Sequence, residues 1–308
     1  MSAPKKNKKT PLKFIEYVFI RIFYFCLSII PFRIRAFLTE KLGLLLYYLV
    51  SSYRKKVLDN LSYAFPEKPH EWKIKTAKQN FRNLGRFLSE FVQLKYLSNS
   101  FYKKWLVVDE EAIKNEIKDG CIAILGHLGN WEWYGAYTAS FWPDKVYTLA
   151  KRQSNYWADK FIDKIRQVQG LKIIYTNESP VKIMRKARAK KVLAFIADQD
   201  ASRKGIYVKF MGQPAATFMG PAIFARTADL PVCFFWSYHD EKKRLVLKSE
   251  KVKMPNIDKE KDPHKWEIEF TKNWVRLLEE KAKENPQDYF WVHSRWKTKP
   301  FPEDVVYE

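Results

Sequence analysis

From residue 118 onward, short apolar runs alternate with segments of helical periodicity. Cys121–Leu125 is the first such run, and residues 130–141 form the helical segment that follows it. Strands alternating with helices form a mainly parallel sheet covered on both faces, so the sequence predicts a mixed α/β fold. Further strands are predicted at 145–150, 171–175, 192–197, 207–210, 232–238 and around Val246, and further helices at 156–168, 181–189, 222–228 and 266–283.

Upstream of this alternation, residues 71–97 carry apolar side chains at helical spacing, which predicts an amphipathic helix. No Pro-, Gly- or Ser-rich linker interrupts the chain after residue 50. We therefore predict a single domain over residues 51–308, behind a basic tail and a helical, membrane-associating segment over residues 1–50.

The N-terminal segment combines a lysine cluster, which includes Lys5 and Lys6, with an aromatic and aliphatic stretch over residues 14–30. No signal-peptidase site follows the stretch, and Glu16 and Arg21 interrupt it. A helix lying in the membrane interface fits this pattern best, with the lysines against anionic lipid. A single membrane span and a buried helix of the core remain alternatives.

The charge balance points to an anionic partner, because the chain of 308 residues has a formal net charge of +22. The basic residues are dispersed, and no nucleic-acid-binding signature accompanies them, so we expect no nucleic-acid partner. Cys26, Cys121 and Cys233 are far apart and form no Cys-x-x-Cys pair, which argues against a disulfide framework or zinc site and favours a reducing compartment.

A candidate catalytic pair follows the first predicted strand of the alternation. His127 falls just beyond the strand's carboxyl end, where functional groups gather in open α/β sheets. Asn130 is a good helix cap, and Glu132 falls in the first helical turn, from which it is expected to reach back toward His127.

A neutral imidazole in this position suits acyl transfer, because a hydroxyl that attacks a thioester must lose its proton. A carboxylate on the other ring nitrogen would fix the tautomer and stabilise the imidazolium. The spacing alone is equally compatible with a histidine that caps a strand and a solvated glutamate. It is not a zinc signature, because the His-Glu-x-x-His motif is absent.

Several further short sequence motifs lie on either side of this pair. They are Asn-Leu-x-x-Ala-Phe-Pro-Glu at 60–67, Arg152 with Asn155, Ala-Asp-Gln-Asp at 197–200, Lys-Phe-Met-Gly-Gln-Pro-Ala at 209–215, and Trp-Val-His-Ser-Arg-Trp-Lys at 291–297. With these motifs the chain resembles the late (secondary) acyltransferases of lipid A biosynthesis, in the lysophospholipid acyltransferase superfamily. The resemblance covers most of the chain and implies a glycerolphosphate-acyltransferase-like fold.

The resemblance also implies roles for the matching residues. His127 would be the general base and Glu132 its orienting partner. Arg152, together with Asn155, would bind phosphate or stabilise developing charge, although a surface salt bridge is an alternative for Arg152. Asp198, beside Gln199, would point into the site and hold Arg152, or else serve as a turn residue.

Other polar side chains are expected to have structural roles. Asn130 is interpreted as a cap more than as a catalytic group. His293, Arg295 and Lys297 are expected to organise the C-terminal segment, with a phosphate contact as an alternative. His239 and His264 carry no motif and are expected on the surface.

The resemblance implies transfer of a fatty acyl chain from acyl carrier protein, or from acyl-CoA, to a hydroxyl of a lipid A precursor. The expected setting is the cytoplasmic face of the inner membrane, with no bound cofactor or metal. A lysophospholipid, a glycolipid or an aminolipid remains an alternative acceptor. A basic membrane- or nucleic-acid-binding protein without catalysis is the rival from another class.

Overall fold

A seven-stranded sheet forms the centre of the computed structural model, which describes residues 8–308. Its strands lie in the order β1-β9-β8-β2-β5-β3-β4, and every neighbouring pair is parallel except β8 and β9. The mainly parallel mixed sheet predicted from the sequence is therefore confirmed. The strands are β1 (Leu106–Val108), β2 (Cys121–Leu125), β3 (Val146–Ala150), β4 (Lys172–Tyr175), β5 (Val192–Ile196), β8 (Val232–His239) and β9 (Leu245–Lys251).

A second sheet has three strands in the order β10-β6-β7. Strands β6 (Ile206–Phe210) and β7 (Gln213–Thr217) form an antiparallel hairpin, and β10 (Val306–Tyr307) pairs with β6. The sequence predicted β6 but missed β7 and β10, because β7 contains a proline and small residues and β10 has only two residues.

Helices cover both faces of the large sheet, and those predicted from periodicity are all present. They are α1 (Pro11–Ser28), α2 (Phe32–Leu49), α3 (Ser51–Ala64), α4 (His70–Gln93), α5 (Asn99–Trp105), α6 (Glu110–Ile117), α7 (Trp131–Phe141), α8 (Tyr156–Arg166), α9 (Pro180–Arg188), α10 (Gly220–Ala228) and α11 (Pro263–Glu284). The sequence did not predict α3, which has 14 residues, or the shorter helices α5 and α6, which have seven and eight.

Strand β2 shows how the sheet separates two cores. Ile122 and Ile124 face one core, whereas Cys121, Ala123 and Leu125 face the other. This alternation follows from the two-residue period of a strand, and both faces are apolar because helices cover both. The first core is covered by α3, α9, α10 and α11, and the second by α6, α7 and α8.

Helix α2 packs against α4 at very short range, and a glycine from each helix makes this possible. A Cβ atom on Gly43 would lie 2.1 Å from the Phe81 carbonyl oxygen, and one on Gly85 would lie 2.0 Å from that of Thr39. The buried Arg35 guanidinium of α2 donates to the Ser89 hydroxyl of α4 and to the Leu27 carbonyl oxygen of α1, and so joins three helices. The N-terminal helices are thus fixed to the domain.

The outward faces of α1 and α2 are apolar. Phe19 and Phe25 on α1 are 66% and 63% exposed, and Phe37 on α2 is 58% exposed. Among residues 8–308, no helix combines the length and apolar character needed to cross a bilayer. The predicted lysine contacts at Lys5 and Lys6 lie outside the described residues, and the domain boundary at residue 50 stays a prediction.

Candidate active site

The loop between β2 and α7 carries His127 and has a sharply constrained backbone. Gly129 has φ of +66°, and a Cβ atom there would lie 2.1 Å from the Ser237 carbonyl oxygen. Only glycine fits both restrictions. Asn130 caps α7, since its side-chain oxygen accepts a hydrogen bond from the Trp133 N–H at 2.9 Å. These contacts fix the turn at Gly129 and the start of α7.

The His127 ring is held by Asp198, which follows β5. Nδ1 of His127 lies 2.6 Å from Oδ1 of Asp198, and the His127 backbone N–H donates to Oδ2 at 2.8 Å. Burial alone would raise the pKa of the Asp198 carboxyl, but the charge and hydrogen bonds of His127 outweigh burial and lower it. An ionised Asp198 makes Nδ1 the protonated ring nitrogen and leaves Nε2 as an acceptor.

The structure corrects two sequence predictions about carboxylates. Glu132 does not hold His127: both its oxygens accept hydrogen bonds from Nε of Arg166 at 3.0 Å. Asp198 in turn does not hold Arg152, because it is committed to His127. The local spacing misled the prediction, since Glu132 in the first turn of α7 faces α8, from which Arg166 reaches it.

The sequence did not predict a role for Arg166, because no local motif surrounds it. Its side chain is largely buried, and burial alone would lower its pKa, but the charge of Glu132 outweighs burial and raises it. Glu132 and Arg166 both line the cavity next to His127. They form an ion pair in the wall of the site.

Arg152 and Asn155 lie where β3 leads into α8. Nη1 of Arg152 lies 3.0 Å from Oδ2 of Asp159, and its guanidinium lies over the Tyr175 ring at 3.4 Å. The Asn155 side chain caps α8 and donates to the Lys13 carbonyl oxygen at 2.7 Å. Arg152 also lines the cavity, whereas Asn155 joins α8 to α1.

Two aromatic rings enclose the His127 imidazole. The ring centroids of Trp131 and Phe290 lie 4.5 Å and 5.7 Å from that of His127. The Gln199 side-chain nitrogen lies 3.3 Å from Nε2 of His127 and donates to it when Nδ1 carries the proton. An incoming hydroxyl would take the place of this amide as the donor to Nε2.

Arg295 is buried away from the cavity and holds the small hairpin. Its guanidinium donates to the Ala216 carbonyl oxygen at 2.6 Å and to the Thr217 hydroxyl at 2.7 Å. His293 lines the cavity, and its Nε2 accepts the Asp200 N–H at 3.0 Å. Burial lowers the pKa of His293, which agrees with this acceptor role.

His239 was predicted to be a surface residue, and this prediction is wrong. Its side chain is only 6% exposed and lies between two carboxylates. His264 is exposed, as predicted. Within residues 8–308, no three histidine, cysteine or acidic side chains are grouped so that they could hold a metal ion.

A cavity of about 1050 Å³ opens at His127 and continues between α7 and the sheet. Small residues at Ala123, Gly135 and Ala194 line it where the helix would otherwise contact the strands. Its deeper wall is apolar and includes Ile117, Leu125, Val146, Leu171, Val192 and Phe235.

The lining includes Val192, Ala194 and Ile196, which face the same side of β5, so it runs for about 13 Å along the strand, or four rises of about 3.3 Å. Arg152, Lys204 and Lys297 belong to the polar part of the lining, and the two lysines are exposed. The cavity is thus long and apolar inside, and basic where it meets solvent.

A histidine–aspartate pair beside a deep apolar cavity suits an enzyme that acts on a substrate with a long apolar chain. A sequence model described as bacterial lipid A biosynthesis acyltransferase matches residues 4–298, and the chain belongs to that family. The chain is 22% identical to the lipid A biosynthesis palmitoleoyltransferase of Escherichia coli (strain K12) over 288 residues, 90% of each chain. The lipid A biosynthesis acyltransferase of Shigella flexneri matches with the same identity and coverage. The protein is an acyltransferase, as the sequence predicted.

Proposed function

We propose that this enzyme moves a fatty acyl chain from acyl carrier protein to a hydroxyl of a lipid A precursor, with His127 as the general base. The observation that carries the proposal is the His127–Asp198 pair at the mouth of the apolar cavity. The acyl chain would lie in the cavity, with its thioester carbonyl next to Nε2. Acyl-CoA is the alternative donor.

The reaction follows from the protonation of His127. Nε2 accepts the proton of the acceptor hydroxyl while the oxygen attacks the thioester carbonyl carbon. The tetrahedral intermediate then expels the thiolate, which takes the proton from the imidazolium. Asp198 stabilises the imidazolium between these two steps. The chain need not supply a nucleophile of its own.

The basic lining supports an anionic lipid acceptor. Arg152, Lys204 and Lys297 line the mouth, where phosphates of a lipid A precursor would be attracted. We propose that this acceptor reaches the site from the cytoplasmic leaflet of the inner membrane, whose anionic surface suits a protein with a net charge of +22.

The placement of α1 supports contact with a bilayer. Phe14 of α1 packs on Trp157 and Tyr24 packs on Phe161, with ring centroids 5.3 Å and 5.1 Å apart. Both partners belong to α8, which begins just after Arg152. We propose that α1 and α2, within residues 1–50, insert their exposed apolar side chains into the membrane interface beside the cavity mouth.

Transfer of labelled acyl groups to a purified lipid A precursor tests the reaction. We expect product with acyl carrier protein as donor, and a loss of about 10²–10⁴-fold in kcat for His127→Gln. The exposed His264→Gln is the matched control and should keep full activity. Unchanged lipid A in a deletion strain, together with an altered phospholipid or aminolipid pool, would point to another acceptor. Equal activity of His127→Gln and the unmodified enzyme would contradict general-base catalysis.

Sedimentation with vesicles tests the membrane contact. We expect Phe19→Glu with Phe25→Glu to weaken binding to vesicles that contain anionic phospholipid, because charges would replace two exposed apolar side chains. Val181→Glu, at a residue on α9 that is 67% exposed, is the control and should bind normally. Normal binding by the α1 variant would exclude α1 as the contact surface.

A further inference from the structure

A buried charge network lies directly behind the catalytic loop. Nδ1 of His239 lies 2.9 Å from Oδ1 of Asp288, and its Nε2 lies 2.9 Å from Oε1 of Glu90. Both carboxylate side chains are 1% exposed. Each ring nitrogen therefore faces a carboxylate oxygen and must donate a hydrogen bond, which requires the imidazolium form.

The charges around His239 balance only when it is protonated. Arg86 of α4 contacts both Glu90 and Glu40 at 2.9 Å, and Lys243, in the turn between β8 and β9, lies 3.9 Å from Glu40. Together with Asp288, three carboxylates then face Arg86, Lys243 and His239. Burial alone would lower the pKa of His239, but the charges and hydrogen bonds of Glu90 and Asp288 raise it to about 9.

Both partners of His239 also hold the loop that carries His127. Oε2 of Glu90 accepts the Asn130 side-chain N–H at 2.7 Å, and the Asp288 carbonyl oxygen accepts the Gly129 N–H at 3.0 Å. Two residues after Asp288, the Phe290 N–H donates to the His127 carbonyl oxygen at 2.9 Å. The network therefore contacts the loop through Gly129 and Asn130 and continues to His127 itself.

We propose that His239 is a positioning residue, which as an imidazolium holds Glu90 and Asp288 in place so that the His127 ring stays aligned with the cavity. The inference rests on the proposed role of His127 as the base. Neutral His239 would leave two buried carboxylates facing one ring proton, and the loop would lose its fixed position. A displacement of about 1 Å is enough to cost on the order of 10²-fold in rate.

Steady-state kinetics of His239→Gln test this role. We expect kcat to fall by about 10–100-fold while KM for the acyl donor stays within about twofold, because the cavity itself is unchanged. In the unmodified enzyme, kcat should also decline as the pH rises through about 9, and His239→Gln should lack this decline. The double variant His239→Gln with Asp288→Asn removes one charge of each sign, and we expect it to regain part of kcat.

The outcomes separate this inference from the proposed function. If His127→Gln abolishes transfer but His239→Gln has normal kcat and an unchanged pH profile, His239 is not a positioning residue. If His127→Gln remains active, the proposed function fails, and the inference fails with it.

A measurement on the unmodified protein covers the case in which His239→Gln does not fold. In protein with ¹⁵N-labelled histidine, one of the five imidazoles should stay protonated through pH 8. Titration of all five by pH 7 would refute the proposal.

Discussion

Replacing Asp198 with asparagine keeps the shape of the side chain but removes its negative charge and moves one proton at the proposed catalytic site. The asparagine oxygen can still accept the His127 backbone N–H, which donates to Oδ2 of Asp198 at 2.8 Å. The amide nitrogen would then face Nδ1 of His127 as a donor. Nδ1 must become an acceptor, so the proton moves to Nε2, the atom that has to take the hydroxyl proton. The variant keeps the shape of the Asp198 side chain, but Nε2 of His127 can no longer accept the hydroxyl proton.

The size of the effect follows from what is lost. General-base catalysis contributes about 10²–10⁴-fold, so Asp198→Asn should raise the barrier by roughly 3–5 kcal/mol. The negative charge that stabilises the imidazolium is also removed, which places the loss toward the upper end of this range.

Single-turnover acyl transfer with a saturating acceptor measures the effect, and circular dichroism checks the fold. Asp240→Asn, at a partly exposed carboxylate paired with Arg244, is the isosteric control and should keep normal rates. The decisive comparison is with Glu132→Gln. If Glu132→Gln loses more than about 10³-fold in rate while Asp198→Asn keeps a third or more of the unmodified enzyme's rate, Glu132 orients His127 and Asp198 does not.

Four other measurements follow. Gly135→Leu should shift donor preference toward shorter acyl chains in a competition assay, because a Cβ atom there already lies 3.6 Å from Leu171 and longer side chains would fill the cavity. His239 has a folded-state pKa of about 9 against an ordinary 6.5, so its contribution is complete below pH 6.5 and is lost as the pH rises through 9. The unfolding free energy should therefore fall over that range by on the order of 3 kcal/mol more in the unmodified protein than in His239→Gln, as measured by urea denaturation. Arg295→Lys, which cannot keep both hydrogen bonds to β7, should cost about 1–3 kcal/mol on the same assay. Initial rates with both substrates varied should give intersecting double-reciprocal lines, since direct attack assisted by His127 needs both substrates bound, and parallel lines would indicate an acyl-enzyme.

The sheet and the place of His127 were predictable because their signals are local. Five consecutive apolar residues define β2, and Asn130 marks the start of α7. The partner of His127 was not predictable in this way. His127 and Asp198 are 71 residues apart and meet because β2 and β5 are neighbours in the sheet. Strand order is set by packing of the whole domain, and no periodicity encodes it.

The prediction for His239 failed for a related reason. A histidine without a motif is most simply placed on the surface, and His239 comes just after the predicted strand 232–238, where connecting loops usually run over the surface. Its burial depends on Glu90 and Asp288, which lie 149 and 49 residues away. A buried charge is stable only when its partners are in place. The partners of His239 lie on distant parts of the chain, so the sequence around His239 does not predict its burial.

The topology explains why the chemistry and the proposed membrane contact share one edge of the sheet. The ends of β2 and β5 supply His127 and Asp198, and the end of β3 supplies Arg152, because parallel strands direct their carboxyl ends to the same side. The helix that follows Arg152 is the one on which α1 docks. If α1 binds the membrane as we propose, a lipid beside α1 would lie at the edge of the sheet that carries His127. On that proposal, the acceptor need not leave the membrane for transfer to occur.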